Sequence, residues 1–293
     1  MNNRDEIAQA LAASGYIADG ELATAISLMQ LLRRPLLLEG EAGVGKTEVA
    51  KALASVHATE LIRLQCYEGL DQSAALYEWN YQRQLLSIQA HRGDNPDDVE
   101  HQIFSEKYLL ERPLLAAIRR AKPPVLLIDE IDRADDEFEA FLLEVLSDFQ
   151  ITIPELGTIR ARRKPAVILT SNRTRELHDA LKRRALFHWI GHPAIEREVE
   201  IVMLRVPGIP ERLAKEAASF VRGLRALDLA KPPGVAETID WAQALAALGR
   251  EEIDAEVVEQ TLGSVLKYRE DIETVRDETL VGLIEEARAS ASR

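Results

Sequence analysis

The sequence predicts an α/β protein in which a parallel sheet with interleaved helices is followed by a smaller all-α domain. Three observations carry this expectation. Short apolar runs alternate with helical periodicity up to about residue 193, the pattern of βα units around a parallel sheet. Two runs, Val125-Leu126-Leu127-Ile128 and Ala166-Val167-Ile168-Leu169, are apolar without alternation, as strands buried on both faces require. Beyond Pro193 the pattern is helical throughout, interrupted at Pro207-Gly208-Ile209-Pro210, Pro232-Pro233-Gly234 and Gly249. The expected division is therefore an α/β core over 1–193 and a helical domain over 194–293.

Helical periodicity over 4–13 and 21–33 precedes the first strand, 36–39, and Pro35 separates strand from helix. A glycine-rich turn and a second helix lead to the second strand, 61–65. Residues 67–78 are polar and turn-like, and aromatic and polar residues alternate from Glu78 to Leu86. Gly93 to Asp98 form an acidic turn, and a helical pattern returns over 104–121. After the third strand, which begins at Val125, a helix is expected over 135–149. Its residues Asp135, Asp136, Glu137, Glu139 and Glu144 read as a solvated face. Residues 150–163 alternate about Pro154-Glu155-Leu156-Gly157, which reads as a β-hairpin with Arg160, Arg162, Arg163 and Lys164 at its return. A helix over 175–183 then joins the fourth strand to the fifth, 186–190.

The net charge of −13 argues against non-specific nucleic-acid binding, which needs clustered Lys and Arg on phosphates. Cys66 is the only cysteine, so no intrachain disulfide can form. No run approaches the ~20 apolar residues of a membrane span. The first residues, Met1 to Glu6, are polar with no apolar signal core behind them. The expectation is a soluble cytoplasmic protein.

Candidate chemistry begins at Gly40-Glu41-Ala42-Gly43-Val44-Gly45-Lys46-Thr47, which matches G-x-x-x-x-G-K-T and lies between a strand and the helix that continues through Glu48. Glycines there free the backbone to turn successive N–H groups toward a phosphate, and the helix N-terminus adds its dipole. Lys46 would reach the terminal phosphates of a nucleotide, and the Thr47 hydroxyl would ligate Mg²⁺. Asp129 and Glu130 end an apolar strand, at the sheet edge where ligands of α/β folds bind. Asp129 is expected beside the metal and Glu130 beside the attacking water. Asn172 ends the next strand and could hold the same water or the γ-phosphate. Arg183 and Arg184 close a helix; one could enter a neighbouring subunit's site as an arginine finger, or both could simply complement the helix dipole. His178, His188 and His192 lack metal-ligand spacing.

Taken in order, the loop from Gly40 to Thr47, the Leu126-to-Glu130 strand, Asn172 and the Arg183-Arg184 pair resemble the Walker A, Walker B, sensor 1 and arginine-finger elements of AAA+ ATPases. The insert at about 67–88 and the hairpin at about 150–163 resemble the helix-2 insert and pre-sensor-1 hairpin of the MoxR family. The strings from Tyr77 to Leu86, Glu139 to Gln150 and Thr170 to Arg184 are similar to its CoxD branch, associated with maturation of molybdenum-containing carbon monoxide dehydrogenase. The resemblance implies ATP and Mg²⁺ as ligands, a sheet ordered 5-1-4-3-2, an α-helical lid and a ring, usually hexameric. It also implies a partner with a von Willebrand factor A domain and a metalloenzyme client. Glu237 stands where many relatives carry the sensor 2 arginine. Three rival readings are a Rubisco-activase-like remodeller, a nucleotide-gated assembly module without force generation, and a DNA motor using the basic hairpin residues.

Overall fold

The computed structural model describes residues 3–91 and 95–291; the acidic turn expected at 93–98 lies partly outside them. The strands, in chain order, are β1 (Leu36–Glu39), β2 (Leu61–Gln65), β3 (Tyr77–Trp79), β4 (Leu109–Glu111), β5 (Val125–Asp129), β6 (Gln150–Ile153), β7 (Gly157–Arg160), β8 (Ala166–Ser171) and β9 (Leu186–Trp189). Five of them form one sheet in the order β2-β5-β8-β1-β9, with every neighbouring pair parallel. Numbered along the chain, this is the expected 5-1-4-3-2 arrangement.

Burial explains why the sequence was readable here. All residues of β1 and β5, and all but the first of β8, are buried, whereas the edge strands β2 and β9 alternate. Central strands of a sheet covered on both faces have no solvent side, so they carry no polar alternation. Leu114, Leu115, Leu126, Ile128 and Leu142 join one apolar core with this sheet.

Two compact units divide the described chain. One contains Met1–Ala10, Gly20–Glu39 and Thr47–Trp189; the other contains Leu11–Asp19, Gly40–Lys46 and Ile190–Arg293. The second has its own core, in which Trp241 and Phe220 are fully buried with ring centroids 5.1 Å apart. Trp241 Nε1 donates to Thr261 Oγ1 at 2.8 Å, so the indole is buried without losing its hydrogen bond. Arg225 forks onto buried Glu198 with two 2.7 Å bonds. Thr238 Oγ1 donates to the same carboxylate at 2.6 Å, which offsets the desolvation of the pair.

Three local expectations are corrected, and one segment left open gains an assignment. The helix expected over 104–121 is a short turn, then β4, then a helix over Pro113–Arg119. Pro113 starts that helix rather than sitting inside it, and it holds Arg112 extended. The alternating segment from Glu78 is β3, antiparallel to β4, followed by a helix over Tyr81–Ala90 in which the Asn80 side chain accepts from the Arg83 N–H at 3.0 Å. The helix expected over 175–183 begins only at Asp179. Glu139, expected on a solvated face, is fully buried; it accepts from the Arg175 guanidinium and, at 2.9 Å, from the His178 N–H. These two bonds hold 175–178 outside the helix. The expected hairpin is present as β6 and β7.

Leu127, in the middle of β5, is fully buried. Replacing it by alanine should lower unfolding free energy by about 2–5 kcal/mol, through lost transfer energy and the cavity left behind; urea denaturation followed by circular dichroism measures this.

Candidate active site

β1 runs into the glycine-rich loop, and the next helix, Lys46–Val56, opens at its last two motif residues. Gly43 has φ +79° and Gly45 φ +93°, conformations that residues with a Cβ rarely adopt. Gly40 has a second constraint: a Cβ there would lie 2.1 Å from the Ile190 carbonyl oxygen. Val44 is buried, which anchors the loop. Lys46 is 6% exposed, and its Nζ donates to the carbonyls of Gly40 at 2.8 Å and Glu41 at 2.6 Å. The ammonium is thus held over the loop. Glu41 meets His192 Nε2 at 3.0 Å. Glu48, in the first turn of the helix Lys46–Val56, pairs with Lys51.

The position where a sensor 2 arginine would stand does something different. Glu237 lies in the first turn of the helix Val235–Ala247, and its carboxylate accepts from the Gly234 N–H at 2.9 Å. The Ala236 N–H donates to the Gly43 carbonyl at 3.1 Å. A Cβ on Gly43 would meet Glu237 Oε2 at 2.9 Å, and one on Gly234 would meet the Ala42 oxygen at 2.8 Å. Glu237 therefore caps a helix whose first turn is laid against the loop backbone. Its negative charge suits a helix N-terminus.

In the other unit, Asp129 is the point where several elements meet. It is 2% exposed and ends β5. Its Oδ1 accepts from Thr170 Oγ1 at 2.5 Å and Thr47 Oγ1 at 3.1 Å. Its Oδ2 accepts from Arg63, Nε at 2.9 Å and Nη2 at 2.6 Å. Thr47 and Asp129 present a hydroxyl and a carboxylate side by side. These are hard oxygen donors of the kind Mg²⁺ takes while keeping waters and phosphate oxygens, so the pair fits that ion.

Glu130 follows with a left-handed backbone, φ 54° and ψ 50°, which turns its side chain away from the strand's alternation. The turn is held because its N–H donates to Thr170 Oγ1 at 2.9 Å. Its Oε1 accepts from Asn172 Nδ2 at 3.3 Å; its Oε2 accepts from Gln65 Nε2 at 3.0 Å and Arg133 Nη1 at 3.3 Å. Asn172 is set in turn by buried Asp132, whose Oδ2 accepts from the N–H groups of Asn172 at 3.1 Å and Thr174 at 2.8 Å. The structure thus brings Thr47, Asp129, Glu130 and Asn172 together.

Sequence reasoning missed Arg63, Gln65, Thr170 and Asp132. Arg63 and Gln65 did leave a signal: they are polar at alternate positions of an otherwise apolar strand, and so share one face. Arg63 also donates to Gln65 Oε1, which leaves the amide NH₂ of Gln65 to face Glu130.

Arg183 and Arg184 end the helix Asp179–Arg184 and are exposed. Arg184 Nη1 reaches the Leu143 carbonyl at 3.3 Å. Their backbone is fixed by Arg34, which donates to the carbonyls of Arg183 at 2.7 Å, Arg184 at 3.1 Å and Ala185 at 3.2 Å. A cation on the last carbonyls of a helix satisfies groups that have no intrahelical partner. Among the described residues no cluster of His, Cys, Asp and Glu has metal-binding geometry of its own, and no helix is long and apolar enough to cross a membrane.

Residues 36–190 match the model of the ATPase family associated with various cellular activities (AAA), more than half of the chain. The chain is 33% identical over 146 residues to chaperone protein ClpB 2 of Parasynechococcus marenigrum, covering 48% of this chain and 14% of that protein. With chaperone protein ClpB of Rhodopirellula baltica it shares 27% identity over 214 residues, 63% of this chain and 22% of that one. The chain therefore spans less than a quarter of the length of these two relatives. A mutant RuvB of Thermotoga maritima has a similar structure, with a TM-score of 0.50 at 16% identity over 90% of this chain and 70% of that chain. At that identity the likeness concerns the fold alone.

Cys66 lies directly after β2, its N–H bonded to the Asp129 carbonyl at 2.8 Å. Burial, with the negative charge of Asp129 and its neighbours adding, pushes its thiol up to about 12. The native protein at pH 8 should therefore react with iodoacetamide on the order of a thousandfold more slowly than an unperturbed thiol, and urea should restore the rate; mass spectrometry of labelled peptides measures this.

Proposed function

From the premise that this chain belongs to the AAA family of ATPases, we propose that it is an Mg²⁺-dependent ATP hydrolase that acts as an oligomeric, chaperone-like remodeller. The observation that supports this best is the cluster at the ends of β5 and β8. There Thr47 and Asp129 form an oxygen pair, and Glu130 stands beside them, its carboxylate positioned by Asn172 and Gln65.

In this reading the backbone N–H groups from Gly40 to Glu48 cradle the phosphates and Lys46 neutralises their charge. Thr47 and Asp129 would hold Mg²⁺, which supplies charge neutralisation at the β- and γ-phosphates. Glu130 orients the attacking water and accepts its proton. Asn172 fixes the Glu130 carboxylate and reaches toward the γ-phosphate. Gln65 and Arg133 occupy Glu130 Oε2, so the proton would go to Oε1, where Asn172 fills one of the two acceptor positions. Arg184, or its neighbour Arg183, acts as a finger in a neighbouring subunit's site, which makes turnover dependent on assembly.

The finer assignment is a MoxR-family, CoxD-like ATPase working in the cytoplasm as a hexameric ring. Its partner would carry a von Willebrand factor A domain, and its client would be a metalloenzyme, carbon monoxide dehydrogenase in the leading version. The boundary between core and lid would fall near residue 193. The insert at 67–88 and the hairpin at 150–163 would touch the client. Exposed Tyr81, Leu85 and Leu86 on the insert helix support a contact role for it. A second reading, a nucleotide-gated assembly module, draws on the same three donors that restrain Glu130.

Glu130→Gln should keep ATP binding and lower turnover by about 10²–10⁴-fold; hydrolysis at the wild-type rate would remove Glu130 as the base. The same variant, loaded with ATP, should retain purified carbon monoxide dehydrogenase together with the partner that carries the von Willebrand factor A domain, and retention of neither would overturn the client assignment.

Arg184→Ala should bind ATP normally and hydrolyse it poorly, by about 10³-fold or more if it is the finger. Mixing it with Lys46→Ala should partly restore turnover, because one variant supplies the intact pocket and the other the intact arginine. No recovery in the mixture, with both variants assembled by light scattering, would rule out action in trans.

A further inference from the structure

A cavity lies at the end of the sheet opposite the candidate active site. It encloses about 850 Å³ and is lined by the segments that enter β1, β2, β5 and β8. The carboxyl ends of these strands carry the candidate active site; this cavity is at their amino ends. Arg33, Arg34, Lys122, Arg162, Arg163 and Lys164 line it, and among the described residues no Asp or Glu does.

That composition is unusual for this chain. The protein has 49 acidic residues against 36 Lys and Arg, and its other cations are extensively paired: Arg63, Arg112, Arg119, Arg120 and Arg175 all hold carboxylates. None of the six lining cations forms an ion pair with a carboxylate of the described chain. Three of them are instead held by neutral groups. Arg34 donates to helix-end carbonyls, Lys122 to the Ala58 carbonyl, and Lys164 Nζ sits 5.0 Å from the Phe149 ring centroid. Each arrangement fixes a side chain and leaves its charge uncompensated.

The backbone is also constrained around the cavity. Arg33, Ala58 and Phe149 have φ of 52°, 47° and 49°, left-handed values that non-glycine residues rarely adopt. Arg33 follows the helix Gly20–Leu32 at the position glycine usually fills, and the Arg34 N–H closes back on the Met29 carbonyl at 3.3 Å. Pro123, Pro124 and Pro165 at the rim have no N–H to donate, so recognition falls to the side chains. His57 bonds Gln30 at 3.0 Å; burial first, with Lys122 adding, holds its imidazole below the ordinary value, so near neutral pH it remains an uncharged member of the lining.

We propose that this cavity binds a small anion carrying two or more phosphate groups. Its volume lies in the range of small-molecule sites, about 300–1,000 Å³, and forked guanidinium donors beside compact ammonium groups suit phosphate oxygens. The cations converge on one concavity rather than forming a stripe, and the chain as a whole repels a long polyanion, so a small ligand fits better than a nucleic acid. The proposal is independent of the ATPase reading.

The test is isothermal titration calorimetry with inorganic tripolyphosphate on the full chain, with the glycine-rich loop occupied by a saturating non-hydrolysable ATP analogue. Saturable one-to-one binding is expected. It should weaken at least tenfold in Arg162→Gln/Lys164→Gln, and likewise in Arg33→Gln/Arg163→Gln, exposed positions whose replacement leaves the core intact. A Lys46→Ala chain without analogue should bind tripolyphosphate as the analogue-filled protein does. Absence of saturation at millimolar ligand, or unchanged affinity in both double variants, would overturn the site. Displacement of tripolyphosphate by a lower concentration of single-stranded oligonucleotide would also overturn it, in favour of a nucleic-acid surface.

Discussion

The buried carboxylate of Asp129 is the constraint on which the α/β unit turns. At 2% exposure an unpartnered carboxylate would be too costly to keep ionised. Each donor that satisfies it comes from a different element: Thr47 from the helix after the glycine-rich loop, Arg63 from β2, Thr170 from β8. Satisfying one charge therefore fixes the alignment of three segments at the carboxyl edge of the sheet. Thr170 spans two tasks, since its hydroxyl donates to Asp129 and accepts from the Glu130 N–H. The left-handed turn that aims Glu130 is secured by the same hydroxyl.

Two further buried carboxylates repeat this logic farther along. Asp132 gathers Asn172 and Thr174, and Glu139 gathers Arg175 and His178. The segment after β8 is thus drawn back onto the segment after β5 by backbone N–H groups that donate to these carboxylates rather than to helix carbonyls. This delays the helix that carries Arg183 and Arg184 until Asp179. Arg34 then fixes its far end. The finger candidates stand exposed on a short helix defined at both ends.

In the other unit a glycine is required by proximity as much as by conformation. Gly43 and Gly234 approach so closely that a Cβ on either would collide with the other's segment. Glu237 closes the turn by capping Gly234. The charge expected at this position is reversed, and a helix-capping role accounts for the residue that is present. Charge is also sorted within the α/β unit. Carboxylates collect at the carboxyl ends of the strands, while unpaired cations gather at the amino ends, so the net charge of −13 says little about either local field.

What the sequence determined by itself were the elements whose pattern is enforced locally. The apolar runs of β1, β5 and β8 announce burial on both faces, and the glycine spacing before Lys46 announces a turn that backbone sterics dictate. Strand ends then located Asp129, Glu130 and Asn172, because side chains at the carboxyl edge of a parallel sheet follow from strand length alone. Tertiary structure decided what depends on partners distant in the chain. Arg63 and Gln65 read as ordinary edge-strand residues until β2 is placed beside β5. Glu139 reads as a solvated helix residue until Arg175, 36 positions later, arrives as its partner. Glu237 reads as a departure from a motif until the loop at Gly43 lies against its helix. Pairing between buried polar groups leaves no period in the sequence, since the two halves of each bond are selected by the fold that brings them together.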